Sequence, residues 1–138
     1  MPGTVKTESD VEALTEPGDT VTERRIIPGG HYAEPMVHRS LRVAAGESHP
    51  RRDHLNDELL YVMAGDGTIA IGDDRQEESC AVREGDAVQI HAGDSWNVVV
   101  SEGELHLLSF LIPAPVTPWS AQLARPVDRV IHVARLGE

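Results

Sequence analysis

Cysteine is nearly absent: Cys80 is the only one in 138 residues, so no intrachain disulfide forms. Aromatic residues make up 4 % of the chain, so a tryptophan near a site is not filler from an aromatic-rich core. Basic residues are outnumbered, 12 Lys and Arg against 23 Asp and Glu, and the net charge is −11. That balance excludes binding to a phosphate backbone or to an anionic membrane surface, since nothing offsets the repulsion. No apolar run approaches the roughly 20 residues of a membrane span, and no basic-then-apolar leader opens the chain. The expected location is the cytoplasm. No internal repeat is present, and almost no segment carries a sustained 3.6-residue period, which leaves one domain built mainly of β-strands.

What is present is punctuation. Twelve glycines and nine prolines are scattered between short apolar or alternating runs, the pattern of many strands joined by turns. Residues 1–20 are polar and acidic and are expected as a flexible N-terminal arm; 21–138 are expected as the barrel. The expected strands are Thr20 to Ile27, Met36 to Ala44, Leu59 to Met63 running into a Gly-Asp-Gly hairpin with Gly67 to Gly72, then Ser79 to Arg83 and Ala87 to Ile90. A second hairpin is expected between Trp96–Ser101 and Glu104–Ile112, across Glu102-Gly103, and a last strand within Val127–Leu136. Turns fall at Pro28-Gly29-Gly30 and Pro113 to Pro118, and Trp119 to Leu123 reads as a helical turn or coil.

The densest chemistry lies in Gly46 to Gly67, GESHPRRDHLNDELLYVMAGDG. A His a few residues ahead of a Glu, beside a buried strand, is one way to build a metal site or an acid–base pair. Gly46, five residues, Arg52-Asp53-His54, three residues, Glu58, six residues and Gly65 reproduce the spacing of the first motif of the cupin superfamily, with Arg52 where the first histidine stands. Gly85 to Trp96 and Val100 reproduce the spacing of the second motif, with His91 in the proline position, Trp96 in the ligand-histidine position and Val100 in the asparagine position. The chain therefore resembles a small single-domain bacterial cupin with a degenerate metal site. The resemblance implies an all-β, double-stranded β-helix (jelly-roll) barrel and a homodimer. Two of its four metal-ligand positions are changed.

On that resemblance, His54 and Glu58 are the leading site residues. Alternation along a strand aims Arg52 the same way as His54, so Arg52 is expected in the cavity as a clamp for a carboxylate or enolate. Replacing Arg52 by His is then expected to complete a three-ligand site. Trp96 is expected as a wall for substrate or as pocket filling. His106, His91, Gln89 and Tyr61 are further candidates to contact substrate. If a metal is held, its ligands are expected to be His54 and Glu58, completed by His106, His49 or His91. The expected cofactor is none, or one divalent ion: zinc, iron, nickel or manganese. Cys80 reads as structural, a catalytic thiol being the remote alternative.

The first functional reading is an enzyme moving protons beside a carbonyl, an isomerase, cyclase, dehydratase or decarboxylase. Its substrate would be an anionic or carbonyl-containing metabolite, such as a natural-product intermediate. His54 would be the base, Glu58 its partner or acid and Arg52 the oxyanion clamp. The alternatives are a non-catalytic ligand-binding cupin, or a metal-dependent enzyme whose site another histidine completes.

Overall fold

The computed structural model describes residues 7–27, 37–73, 75–113 and 132–135. Nine strands run through them: β1 (Val21–Ile27), β2 (Val37–Glu47), β3 (Arg51–Arg52), β4 (Asn56–Ala64), β5 (Asp66–Gly72), β6 (Glu77–Arg83), β7 (Asp86–Ile90), β8 (Ser95–Pro113) and β9 (His132–Arg135). Every pairing is antiparallel, and no α-helix occurs among the described residues, so the expected all-β architecture is present.

Strand β8 is the spine. It is hydrogen-bonded to β2, β3, β4 and β5; β1 attaches to β2, β6 to β5 and β7 to β4, and β9 pairs with β7. Two-residue alternation builds the core from one face of each strand: Leu41 and Val43 of β2, Leu60 and Val62 of β4, Val98 and Val100 of β8 are all buried. Leu59 and Met63, on the other face of β4, are exposed.

Two expected hairpins do not form. β4 pairs with the Asp57–Ile112 to Ala64–His106 stretch of β8, and β5 carries on along the same spine from Thr68–Val99 to Gly72–Ser95. The Gly-Asp-Gly sequence is therefore a kink between collinear strands. Gly65 is required there: its φ is +86°, and an added Cβ would lie 2.3 Å from the Glu104 carbonyl oxygen. The hairpin that does form joins β5 to β6. Likewise 95–113 is one strand. β2 pairs with both halves in turn, Ala44 with Glu104 and then Gly46 with Val100, so Glu102-Gly103 is a bulge, with Gly103 at φ +73°.

Residues 7–20, expected as a flexible arm, are tied to the barrel. Leu14 exchanges backbone hydrogen bonds with Glu23 at 2.8 Å each way. Glu8 accepts from Arg42 Nε at 2.8 Å and Nη2 at 3.2 Å. The expected features at 28–30, 114–118 and 119–123 lie outside the described residues, as does most of the expected last strand, of which β9 is the described part.

Candidate functional site

Four strands place five polar or N–H-bearing side chains on the face that otherwise builds the core, two of them from β8. Glu23 shares the face of Val21, Arg39 that of Leu41, Glu58 that of Leu60, Ser109 that of Leu107, and Trp96 that of Val98; all are buried. The register gathers them, with Arg39 opposite Ser109 and Arg51 opposite Trp96. Unpaired, such groups would cost several kcal/mol each, on the order set by charge desolvation, so their partners define the arrangement.

Glu58 is fully engaged. Its Oε1 accepts from the Trp96 indole N–H at 2.9 Å; its Oε2 accepts from Arg39 Nη2 at 2.8 Å and from the Ser109 hydroxyl. Arg39 also donates to Ser109 Oγ at 3.2 Å and, through Nη1, to Glu23 Oε1 at 3.1 Å. Glu23 gathers three arginines. Arg39 and Arg51 share Oε1, and Arg25 Nε donates to Oε2 at 2.8 Å. Burial pushes the Glu23 carboxyl up, but the Arg25 hydrogen bond and the charges of Arg39 and Arg51 outweigh it and hold it below the ordinary carboxylate value. The Arg51 guanidinium also lies 5.8 Å from the centre of the Trp96 ring, within cation–π range.

Beside this network is a cavity of about 640 Å³, bounded by residues 13–16, Asp19, β1 and the His49–Asp53 segment, with Arg39 and Glu58 on its inner wall. Its volume suits a small metabolite.

The sequence-predicted residues separate. Glu58 and Arg52 line the cavity, but Arg52 is exposed, and Arg51 is the arginine turned toward Glu23 and Trp96. His54 is exposed and is not among the cavity-lining residues. The physical reason is local. β3 has only two residues, and Asp53 Oδ1 then accepts from the backbone N–H of Leu55 and Asn56 at 2.9 Å each, forming a turn that carries His54 outward. The alternation that would align Arg52 with His54 stops before reaching it.

Tyr61 and Gln89 lie between inward-facing neighbours, Leu60 and Val62, Val88 and Ile90, and so face the outer side of the sheet. His106 is also outward, its Nε2 2.8 Å from Ser40 Oγ under the Glu8 turn. His91 follows β7 and is half-buried, away from the cavity-lining set. His49 does line the cavity. Burial and the Asp86 and Glu78 charges push the Cys80 thiol up, away from nucleophilic character. Glu23, Arg25, Arg39, Arg51 and Ser109 escaped the motif-based reading. Their signal was a charged or hydroxyl residue in phase with buried aliphatics, as in Arg39-x-Leu41-x-Val43.

The donor chemistry around Glu58 does not fit a metal ion. Trp96 has only an N–H to offer, the Arg39 cation occupies one carboxylate oxygen, and His54 is elsewhere. A different set fits better. Glu16, Asp19 and His49, at the cavity rim, bring their ligand atoms within 4.8 Å of one another, a donor set that can hold a divalent ion.

No family model matches the chain, and no curated protein matches it by sequence. Solved structures do match. A predicted oxalate decarboxylase from Thermotoga maritima superposes with a TM-score of 0.66 at 14 % identity, covering 80 % of this chain and 99 % of that one. The iron(II) form of HppE gives 0.67 at 13 % identity, covering 80 % and 60 %. Hazelnut (Corylus avellana) vicilin gives 0.63 at 14 % identity, covering 93 % and 35 %. The chain has the cupin fold. Names as different as a decarboxylase and a vicilin on one fold leave the function to the site.

Proposed function

We propose that this protein is a small-molecule cupin that holds an anionic or carbonyl-containing metabolite in its cavity, with Arg51 as the binding cation. The observation that carries this reading is the arginine-rich wall: Arg25, Arg39, Arg51 and Arg52 all line one cavity of metabolite size. Arginine is suited to the task because its planar fork matches a carboxylate and never loses its charge. Calorimetric titration of chelator-treated protein against small carboxylates tests it. Binding that Arg51→Met weakens by about tenfold to a hundredfold is expected from one charge-assisted contact. Binding unaffected by that change contradicts it.

Proton transfer beside a carbonyl is the reaction the same wall can serve, and His49 favours it as the imidazole among the described lining residues. Glu58 is less suited, because both of its oxygens already accept hydrogen bonds, from Trp96, Arg39 and Ser109. Exchange of a bound ligand's α-proton in deuterated water, abolished by His49→Ala, separates an enzyme from a carrier. A divalent ion, where one is taken, is assigned to Glu16, Asp19 and His49. A homodimer is the proposed assembly, supported by the exposed Leu59, Met63 and Ile112.

A further inference from the structure

From the placement of Glu23 among Arg25, Arg39 and Arg51, we infer that this side chain is an internal competitor for the ligand: its carboxylate occupies the arginine site that a small monocarboxylate takes, and binding proceeds by carboxylate exchange. This rests on the small-anion reading above and goes further in naming the ligand class and the residue that limits its affinity.

The geometry supports exchange at particular atoms. Glu23 and its three arginine partners all line the cavity. Arg39 is locked, because Nη2 is committed to Glu58 and Ser109 and its side chain is only 11 % exposed. Arg51 and Arg25 are less confined, at 22 % and 58 % side-chain exposure, and Glu23 is the acceptor each is seen to use. An incoming carboxylate that takes Arg51 and Arg25 leaves Glu23 paired with Arg39, so no buried charge is stranded. Around Glu23 itself three cations face one carboxylate, a local excess within a lining whose four arginines are otherwise balanced by Glu16, Asp19, Asp53 and Glu58. Two carboxylates can be held there, but they share Arg51 at a repulsive cost. Removing the Glu23 charge while keeping its shape removes that cost.

The test is calorimetric titration of chelator-treated wild type, Glu23→Gln and the double variant Glu23→Gln with Arg51→Met, with acetate and benzoate as probes. Glu23→Gln is expected to bind at least about tenfold tighter than wild type, and the double variant to lose that gain. If neither wild type nor Glu23→Gln binds either probe, the small-anion reading itself falls, and the inference with it. If wild type binds as tightly as Glu23→Gln or tighter, the reading stands and the inference is overturned. A gain that survives in the double variant also overturns it, because the contact would not run through Arg51. Should Glu23→Gln fail to fold, carboxyl-carbon NMR of the wild type decides. Saturating acetate is expected to move the Glu23 resonance and leave that of Glu58 in place; a stationary Glu23 signal in acetate-bound protein rejects exchange.

Discussion

The Trp96 indole N–H donates to Glu58 Oε1 across 2.9 Å. These two residues stand at positions where the motif spacing would bring a histidine and a glutamate onto one metal ion, and here they bond to each other. Trp96→Phe keeps the ring and removes the donor, leaving one buried carboxylate oxygen without a partner. A loss of about 1–3 kcal/mol is expected, the usual cost of an unsatisfied buried acceptor, read by urea denaturation. A loss near zero would mean that water replaces the bond.

Arg39 joins both glutamates. Arg39→Met strands Glu58 and weakens the hold on Glu23, so a loss of about 3–5 kcal/mol is expected, enough to unfold much of the population of a marginal domain. Melting by circular dichroism measures it. A variant as stable as wild type would show that the network contributes little.

The engineered metal site imagined from the motif is not expected to work. Arg52→His adds an imidazole at an exposed position, while the oxygens of Glu58 stay bonded to Trp96, Arg39 and Ser109. Zinc titration is expected to give no gain over wild type. His49→Ala is expected to weaken whatever zinc affinity wild type has, since His49 belongs to the rim set.

Acid should destabilise the fold in two stages. Burial holds His38 and His106 below the ordinary imidazole value; at His106 the Arg42 charge adds to this, against the opposing charges of Glu8 and Glu104. A depressed value means that the folded state binds the proton less readily. Stability is therefore complete above the unfolded value of about 6.5 and falls as pH drops below it. Glu23 and Glu8 are also held low, Glu8 chiefly by its hydrogen bond from Arg42. Their contribution is complete above about pH 4.3 and is lost as pH falls through their lower folded values. Denaturation midpoints measured from pH 8 to pH 3 check this; a curve flat down to pH 4 rejects the histidine stage.

Light scattering at micromolar concentration tests the proposed homodimer. Twice the 15.0 kDa chain mass is expected, and the mass of one chain contradicts it.

Much of the architecture was legible because apolar alternation has one meaning in a strand. β1, β2, β6 and β7 fall within a few residues of their expected bounds. The turns were less legible, because Gly-Asp-Gly is equally compatible with a hairpin and with the kink that Gly65 makes beside Glu104. Only the tertiary partner β8 decides between them. The site was harder still. Motif spacing pointed to Glu58, but a one-residue difference in a two-residue strand made Arg51, and not Arg52, the arginine that reaches Glu23 and Trp96. Glu23 and Arg39 lie far from the motif in sequence, and only the register of β1, β2 and β8 brings them to it.

The inner position beside Glu58 belongs to the Arg39 cation and not to a metal ion. Anomalous scattering from crystals grown with excess zinc tests it most directly. No anomalous peak is expected within bonding distance of Glu58, and any peak is expected at Glu16, Asp19 and His49. A peak bonded to Glu58, with Trp96 and Arg39 turned away from it, would contradict it.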